Sequence, residues 1–260
     1  MSGNQKPVVI ITGASSGIGA ATAAMLSATH RVVIAGRRKD QLTAVAKATS
    51  ALPIVTDVTD YAQCERLVAK TIETYGRLDG LVLNAGMSRY GKLAEMDLEN
   101  WDLVLRTNLT SAFMVARFAI PHLLDTKGAI VSVSSVSALR SAPGLSAYAA
   151  SKAGMLMMTQ GIARDYGSQG LRANVVCPGW IRTEMSEREM GEFSIQTGVD
   201  REQSFRRAVE HIPSRRVAHP DEAAGPICFL LSPQSSYING SVLTVDGGAT
   251  IVDVGTLIFG

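Results

Sequence analysis

The sequence predicts an α/β fold, a doubly wound parallel sheet of about seven strands with helices on both faces. The first observation is that short apolar runs alternate with longer amphipathic runs along most of the 260-residue chain. The second is that the short runs are β-branched and nearly all apolar, which is typical of strands buried on both faces. The third is the composition, 46% hydrophobic and 18% charged, which supports a substantial core in one domain.

Each short run is predicted as a strand, and each amphipathic run between them as a helix. In chain order the strands are Val8–Thr12, Arg31–Gly36, Leu52–Thr56, Gly80–Asn84, Ala129–Ser134, Arg172–Cys177 and Ser241–Val245. The helices are Gly17–Ala28, Asp40–Ala48, Tyr61–Tyr75, Leu98–Leu124, Ala147–Tyr166 and Asp221–Ser232. Because strands and helices alternate, we expect parallel strands joined by right-handed crossovers.

Charge and cysteine content disfavour several classes of protein. Lys and Arg number 25 against 23 Asp and Glu, and this net charge of +2 gives no electrostatic reason to expect nucleic-acid binding. Three isolated cysteines argue against a disulfide framework and favour a reducing, cytoplasmic setting. No run of about 18 apolar residues predicts a membrane span. The four histidines have no metal-ligand spacing, so no metal is expected.

The first strand runs directly into a glycine-rich loop, T-G-A-S-S-G-I-G, over residues 12–19. Glycine lets the backbone turn sharply and lets a phosphate approach closely. The N-terminus of the following helix offers free N–H groups and a positive dipole end to an anion. The loop therefore predicts a phosphate site, with an ordinary Gly/Ser turn as the alternative. The spacing of Gly13, Gly17 and Gly19 differs from G-x-G-x-x-G.

Tyr148 and Lys152 are four residues apart and therefore share one face of a helix. A tyrosine with a pKa of about 10 is a poor base near neutral pH. One ammonium about 4 Å away supplies roughly 4 kcal/mol toward ionisation at an effective dielectric of about 20. The pair could then exchange a proton with an alcohol or carbonyl oxygen. If this spacing stood alone, a solvated helix face would be the better interpretation.

Several motifs, in order and at matching spacing, resemble the classical short-chain dehydrogenase/reductase family over about residues 7–248. The glycine loop is similar to its T-G-x-x-x-G-x-G, and Tyr148-x-x-x-Lys152 is similar to its catalytic pair. The other matches are V-T-D-V-T-D, N-A-G, R-T-N-L, P-G-x-x-x-T and V-D-G-G. Leu83 stands where the family often has a second asparagine. The resemblance, nearest to 3-oxoacyl-carrier-protein reductases, implies a Rossmann-type fold.

The resemblance implies a role for each matched residue. It selects Ser135, because residue chemistry alone leaves Ser132, Ser134 and Ser137 as rivals for hydrogen bonding a substrate oxygen. It implies that Asn108 holds a water molecule that links Lys152 to a proton relay. The alternative is that the Asn108 side chain only bonds to nearby backbone. The predicted catalytic set is Asn108, Ser135, Tyr148 and Lys152. The predicted cofactor contacts are Gly13, Ser15, Ser16, Gly17, Ile18, Gly19, Arg37, Arg38, Asp57, Val58, Asn84, Ala85, Gly86, Tyr148, Lys152, Pro178, Gly179, Ile181 and Thr183.

The residues after the second strand bear on the choice between NADP(H) and NAD(H). An acid there would bond the adenosine ribose 2′-OH, but this chain has Gly36, Arg37 and Arg38. Arginine is a planar cation suited to phosphate, and a charge-assisted contact is worth about 1.5–3 kcal/mol. We therefore expect NADP(H) to be preferred, with NAD(H) possible. A solvated turn is the alternative.

The segment 182–216 interrupts the alternation just after the P-G-x-x-x-T motif. We expect it to be helical in part and to form a substrate lid within a single catalytic domain, residues 1–260. Its apolar Met185, Met190 and Phe193 could line the substrate or only pack the lid onto the body.

The predicted function is hydride transfer between NADP(H) and a ketone or secondary alcohol, and the apolar lid residues favour a substrate with an apolar body. A narrower possibility is a 3-oxoacyl thioester, whose acidic carrier could meet Arg140, Arg215 and Arg216 if these are more than solvated charge. The alternative from a different functional class is a cofactor-binding sensor or scaffold without catalytic activity. A sugar-nucleotide epimerase is disfavoured by the length of the chain and by the spacing of its glycines. By resemblance, the two long apolar helices pair in a homotetramer. We expect no nucleic-acid or membrane partner.

Overall fold

The computed structural model describes residues 6–259; residues 1–5 and 260 of the predicted domain lie outside them. The strands are β1 Val8–Thr12, β2 Arg31–Gly36, β3 Leu52–Val55, β4 Gly80–Leu83, β5 Ala129–Val133, β6 Arg172–Pro178 and β7 Val242–Val245. They form one parallel sheet in the order β3-β2-β1-β4-β5-β6-β7. The predicted strands are correct to within a residue at each end.

Helices cover both faces of this sheet, as predicted. They are α1 Gly17–Leu26, α2 Lys39–Thr49, α3 Tyr61–Tyr75, α4 Leu98–Leu105, α5 Ser111–Thr126, α6 Ser146–Tyr166, α7 Glu184–Thr197, α8 Arg201–Ala208 and α9 Pro220–Leu231. Alternate residues of β1 point to opposite faces. Ile10 packs in the cluster with α3, α5 and α6, and Ile11 packs in the cluster with α1, α2 and α9. The doubly wound fold is therefore confirmed.

The predicted helix Leu98–Leu124 differs from the observed structure in one respect. The helix runs to Thr126, but a π-helical turn, Arg106–Thr110, separates α4 from α5. Such turns insert an extra residue and often mark functional positions. By length and mean hydropathy the whole stretch Leu98–Thr126 could cross a membrane, yet half of its most apolar window is buried. A core helix meets the same criterion.

The strand order reverses between β1 and β4. The chain moves outward from β1 to β2 and β3, then returns to β4 and continues the other way. In open α/β sheets the crevice at such a reversal, at the carboxyl ends of the strands, is where ligands bind. The glycine loop after β1 and the residues after β4 therefore face the same crevice.

The segment after β6 forms two helices, α7 and α8, in agreement with the prediction that residues 182–216 are helical in part. Thr183 caps α7, since its Oγ1 accepts a hydrogen bond from the Ser186 N–H at 3.3 Å. The Arg182 guanidinium donates to both carboxylate oxygens of Glu202, at 3.0 and 2.8 Å, and lies 4.5 Å from the centre of the Phe205 ring. These contacts hold α7 and α8 together beside the crevice.

Candidate active site

The glycine loop after β1 leaves no room for side chains at two of its positions. Gly13 has φ +66°, and a Cβ there would lie 2.8 Å from the Ala85 Cα. A Cβ on Gly19 would lie 2.6 Å from the Asn84 side-chain nitrogen. Only glycine fits this backbone conformation and this close approach. The loop is thus pressed against the turn that follows β4.

Asn84 and Ala85 brace that loop from the neighbouring strand. The Asn84 amide donates to the carbonyl oxygens of Thr12 and Gly13, at 3.0 and 3.1 Å. The backbone N–H groups of Asn84 and Ala85 both donate to the Thr12 hydroxyl, at 3.0 and 3.2 Å. The Asn84 side chain therefore holds the loop in shape, a role that the sequence did not predict.

The N-terminus of α1 is open to an anion. Ser16 precedes the helix with an extended backbone and makes no side-chain capping bond, and the first turn carries no acidic residue. The N–H groups at such an end carry a partial positive charge and have no intrahelical partner. Together with the glycine surface beside it, this end has the shape and charge that a cofactor phosphate requires.

The two arginines after β2 differ in their surroundings. The Arg38 guanidinium donates to the Glu184 carboxylate at 2.5 Å and to the Ser16 hydroxyl at 2.8 Å. Arg37 is exposed, and within residues 6–259 it forms neither a hydrogen bond nor an ion pair. Arg38 lowers the pKa of Glu184. Both cations lie at the crevice, but Arg38 is already partly neutralised.

The predicted adenine-side residues Asp57 and Val58 follow β3. The Asp57 carboxylate accepts from the Thr59 N–H and hydroxyl, at 2.9 and 2.7 Å, through one oxygen. Val58 is buried in the core. The second Asp57 oxygen has no donor among the described residues and is available to a ligand.

Helix α6 carries Tyr148 and Lys152 on one face, as the spacing predicts. The Lys152 Nζ lies 5.7 Å from the centre of the Tyr148 ring and donates to the Val133 carbonyl at 2.8 Å. Lys152 is only 3% exposed, while Tyr148 is partly buried. A Cβ on Gly86 would lie 3.3 Å from the Lys152 Nζ. The turn after β4 and the start of α6 therefore meet at this lysine.

Burial dominates the electrostatics of the pair. It raises the pKa of Tyr148 to about 12, against a smaller lowering by Ser135, and lowers the pKa of Lys152 to about 8. In the chain alone, desolvation therefore outweighs any stabilisation of the phenolate by the Lys152 ammonium. Desolvation disfavours both charged forms, and the lysine is itself close to losing its charge.

Hydrogen bonds distinguish among the four candidate serines. Ser132 shares a hydrogen bond of 2.7 Å with Thr159, and the Ser134 hydroxyl donates to the Lys152 carbonyl at 2.8 Å. Both are buried in the fold. The Ser135 hydroxyl accepts from the Ser137 N–H at 3.1 Å and contacts Tyr148 closely enough to lower its pKa. Ser135 is therefore the serine that lies beside the tyrosine.

The π-helical turn brings the fully buried Asn108 into the same cluster. Its Oδ1 accepts from the Met87 N–H at 2.8 Å, and its Nδ2 donates to the Met87 carbonyl and the Ser151 hydroxyl, both at 2.9 Å. The side chain thus joins the β4 turn to α6. Both N–H groups of the Asn108 side chain already donate to protein partners. A bound water would therefore have to donate its hydrogen bond to the side-chain or backbone oxygen of Asn108.

The segment after β6 closes one side of the crevice. A Cβ on Gly179 would lie 2.9 Å from the Asp246 Cα, and Ile181 is buried beside Ala218. Pro178 ends β6. The Thr183 methyl lies 3.2 Å from where a Cβ on Gly17 would be. Thr183 therefore approaches the glycine loop, although its hydroxyl also caps α7.

Two carboxylates of α7 at this site were not among the predicted residues. Glu184 pairs with Arg38, and Glu189 accepts a hydrogen bond from Ser88. Glu189 also raises the pKa of Tyr148 through its charge. These partners are separated by 146 and 101 residues, and no local pattern connects residues that distant.

The comparisons with known proteins agree with this geometry. A family described as enoyl-(acyl carrier protein) reductase matches residues 13–250. The chain is 39% identical to 3-oxoacyl-[acyl-carrier-protein] reductase of Thermotoga maritima over 94% of this chain and 98% of the relative. It is 34% identical to meso-2,3-butanediol dehydrogenase of Serratia marcescens over 95% of each chain.

Among solved structures, a mutant actinorhodin polyketide ketoreductase with NADPH matches with a TM-score of 0.89 at 31% identity. That match covers 94% of this chain and 97% of the ketoreductase. The cluster around Tyr148, the glycine loop and these relatives lead to one conclusion. The chain belongs to the short-chain dehydrogenase/reductase family, and it is an oxidoreductase that transfers hydride at CH–OH and C=O groups.

Proposed function

We propose that this enzyme transfers hydride between NADP(H) and a small ketone or secondary alcohol. The observation that carries the proposal is the Tyr148–Lys152 pair on α6, set beside Ser135 at the carboxyl edge of the sheet next to the glycine loop. A non-catalytic scaffold would not need this set intact. The relatives named as reductases and a dehydrogenase support the same reaction class.

When bound, the nicotinamide cofactor supplies or accepts the hydride. The N-terminus of α1 and the surface made by Gly13 and Gly19 would hold its phosphates, and Thr183 would reach its carboxamide. The full set proposed to contact it is Gly13, Ser15, Ser16, Gly17, Ile18, Gly19, Arg37, Arg38, Asp57, Val58, Asn84, Ala85, Gly86, Tyr148, Lys152, Pro178, Gly179, Ile181 and Thr183.

In carbonyl reduction the Tyr148 hydroxyl donates a proton to the carbonyl oxygen, and the Ser135 hydroxyl donates a hydrogen bond to the same oxygen. A high pKa keeps Tyr148 protonated and ready to donate. Lys152, with a pKa of about 8, can exchange a proton near neutral pH and so restore Tyr148. Asn108 positions this relay by joining the β4 turn to α6. Alcohol oxidation uses the same groups in reverse.

The NADP(H) preference rests on Arg37, whose charge is unpaired among the described residues, with Arg38 as a second cation. The relative named a ketoreductase with NADPH supports it. A thioester on an acidic carrier has less support. Arg216 is bound to both oxygens of Glu222, and Arg140 donates to the Val252 carbonyl.

We further propose a cytoplasmic homotetramer of single-domain subunits, each with segment 182–216 as its lid. Large apolar side chains remain exposed on α4, α5 and α6: Leu103, Phe113 and Met157. Paired helices would cover them. In the lid, Met190 is buried and packs the lid helix, whereas Phe193 is 44% exposed and is available to line the substrate.

A panel of ketones and secondary alcohols, assayed with NADPH and NADH in parallel, tests the function. We expect turnover of several ketones with a higher kcat/KM for NADPH. Bound NADPH without turnover of any compound would favour the scaffold instead. Light scattering at micromolar concentration tests the assembly, and a monomer mass would refute the tetramer.

A further inference from the structure

Helix α7 places a carboxylate inside the crevice near the reacting groups. Glu189 is partly buried, and its carboxylate accepts a hydrogen bond from the hydroxyl of Ser88, which is 5% exposed and follows the β4 turn. Its charge acts on Tyr148 and on Tyr90. Ser88 comes two residues after Gly86, where a Cβ would lie 3.3 Å from the Lys152 Nζ, and one residue after Met87, which is bonded to Asn108. Its partner Glu189 is therefore near the catalytic cluster.

No cation forms an ion pair with this carboxylate within residues 6–259. The neighbouring Arg188 pairs instead with Glu192, at 3.9 Å on the outer face of α7. Burial raises the pKa of Glu189, which Ser88 and Arg188 only partly offset. A carboxylate has room for about four hydrogen bonds, and Ser88 is the one donor that the described residues supply. Glu189 is thus desolvated without full compensation, which is costly in a site built only for stability.

We propose that Glu189 is a substrate-specificity residue that accepts a hydrogen bond from a hydroxyl group carried by the substrate close to its reacting carbonyl. The substrate class is then a hydroxyketone, and in the reverse direction a diol. The same charge disfavours substrates with a carboxylate at that position. Ser88 fixes the carboxylate by its hydrogen bond. This inference rests on the proposed function, because it adds a second recognition point to the same site.

The test compares isosteric ketone pairs in which a hydroxyl replaces a methyl group, such as acetoin against methyl isopropyl ketone. Homologues move the hydroxyl farther from the carbonyl. We expect wild-type kcat/KM to favour the hydroxyketone of at least one pair by about tenfold or more. Glu189→Gln should reduce that ratio by about tenfold, mainly through KM, while Glu192→Gln, one turn away on the exposed face, should leave it unchanged.

A second readout separates recognition from a merely structural role. Removing the Glu189 charge relieves repulsion of the Tyr148 phenolate, so Glu189→Gln should move the pH profile of alcohol oxidation toward lower pH. Turnover with no preference for the hydroxyketone of any pair, or an equal ratio in wild type and Glu189→Gln, would overturn the inference and leave the proposed function intact. Absence of turnover for every ketone would instead refute the proposed function.

Discussion

The glycine loop and helix α7 face the same crevice, but different forces fix their residues. In the loop, Gly13 and Gly19 lie against the turn after β4 so closely that no Cβ fits. In α7, Gly191 would meet nothing within 4 Å, and the helix contacts the site through long, charged side chains. Backbone sterics therefore determine which residues fit in the loop. The contacts of α7 with the site are instead ion pairs and hydrogen bonds of single side chains, each of which can be removed separately.

The largest difference should appear when a methyl group is added to each region. Gly13→Ala places a Cβ against backbone atoms of Ala85 at a φ of +66°, which should cost about 2–4 kcal/mol of stability. We expect NADPH affinity, measured by fluorescence titration, to fall by about a hundredfold or more. Gly191→Ala is the matched control, and it should be neutral or slightly stabilising because alanine favours a helix. Equal effects of the two changes would break the comparison.

The next effect concerns Arg37, whose charge has no partner among the described residues and can bind the cofactor phosphate. Arg37→Asp removes an unpaired charge and adds a repulsive one, so the NADPH dissociation constant should rise about 10–100-fold. The NADH constant should stay the same or fall. Isothermal titration of both nucleotides measures this. Parallel weakening of both would show that Arg37 does not meet the 2′-phosphate.

Buried charge on α6 should cost stability. The pKa of Lys152 is lowered from 10.5 to about 8, so near neutral pH the folded state carries a penalised cation. Lys152→Met should then abolish turnover. It should also raise the unfolding free energy by about 1 kcal/mol, because removal of the penalised cation outweighs the lost hydrogen bond to Val133. The unfolding free energy of the wild type should rise between pH 8 and 10.5, because over that range the lysine is neutral in the folded state and protonated in the unfolded state. The variant should lack this rise. A lower melting temperature for Lys152→Met would contradict this.

The smallest effect tests the Arg38–Glu184 ion pair, which links α7 to the glycine loop because Arg38 also donates to the Ser16 hydroxyl. Glu184→Gln frees Arg38 from a partly exposed pair, and such pairs are worth about 0.2–1 kcal/mol. We expect NADPH to bind about two- to fivefold more tightly and NADH to be unaffected. Competition titration with both nucleotides gives the ratio, and weaker NADPH binding would mean that Glu184 orders Arg38 for the phosphate.

The same comparison explains what the sequence could predict. Strands such as β1 and the glycine loop follow from local patterns, and the Tyr148–Lys152 pair follows from helix periodicity. The π-helical turn at Asn108 was not predicted, and the hydrogen bonds of Asn108 join it to Met87 and Ser151, which lie 21 and 43 residues away in the sequence. Glu189 was missed for a similar reason, since Ser88 lies 101 residues away. How strongly desolvation raises the pKa of Tyr148 could not be predicted, because burial is a tertiary property.

The central claim is that Tyr148 is the proton donor of a working reductase. Tyr148→Phe keeps the aromatic ring and removes only the hydroxyl, so it should bind NADPH within about twofold of wild type. Single-turnover reduction of the best ketone with bound NADPH measures the chemical step directly. We predict a rate about 10²–10⁴-fold below wild type. A Tyr148→Phe enzyme that reduces the ketone at the wild-type rate would contradict the account.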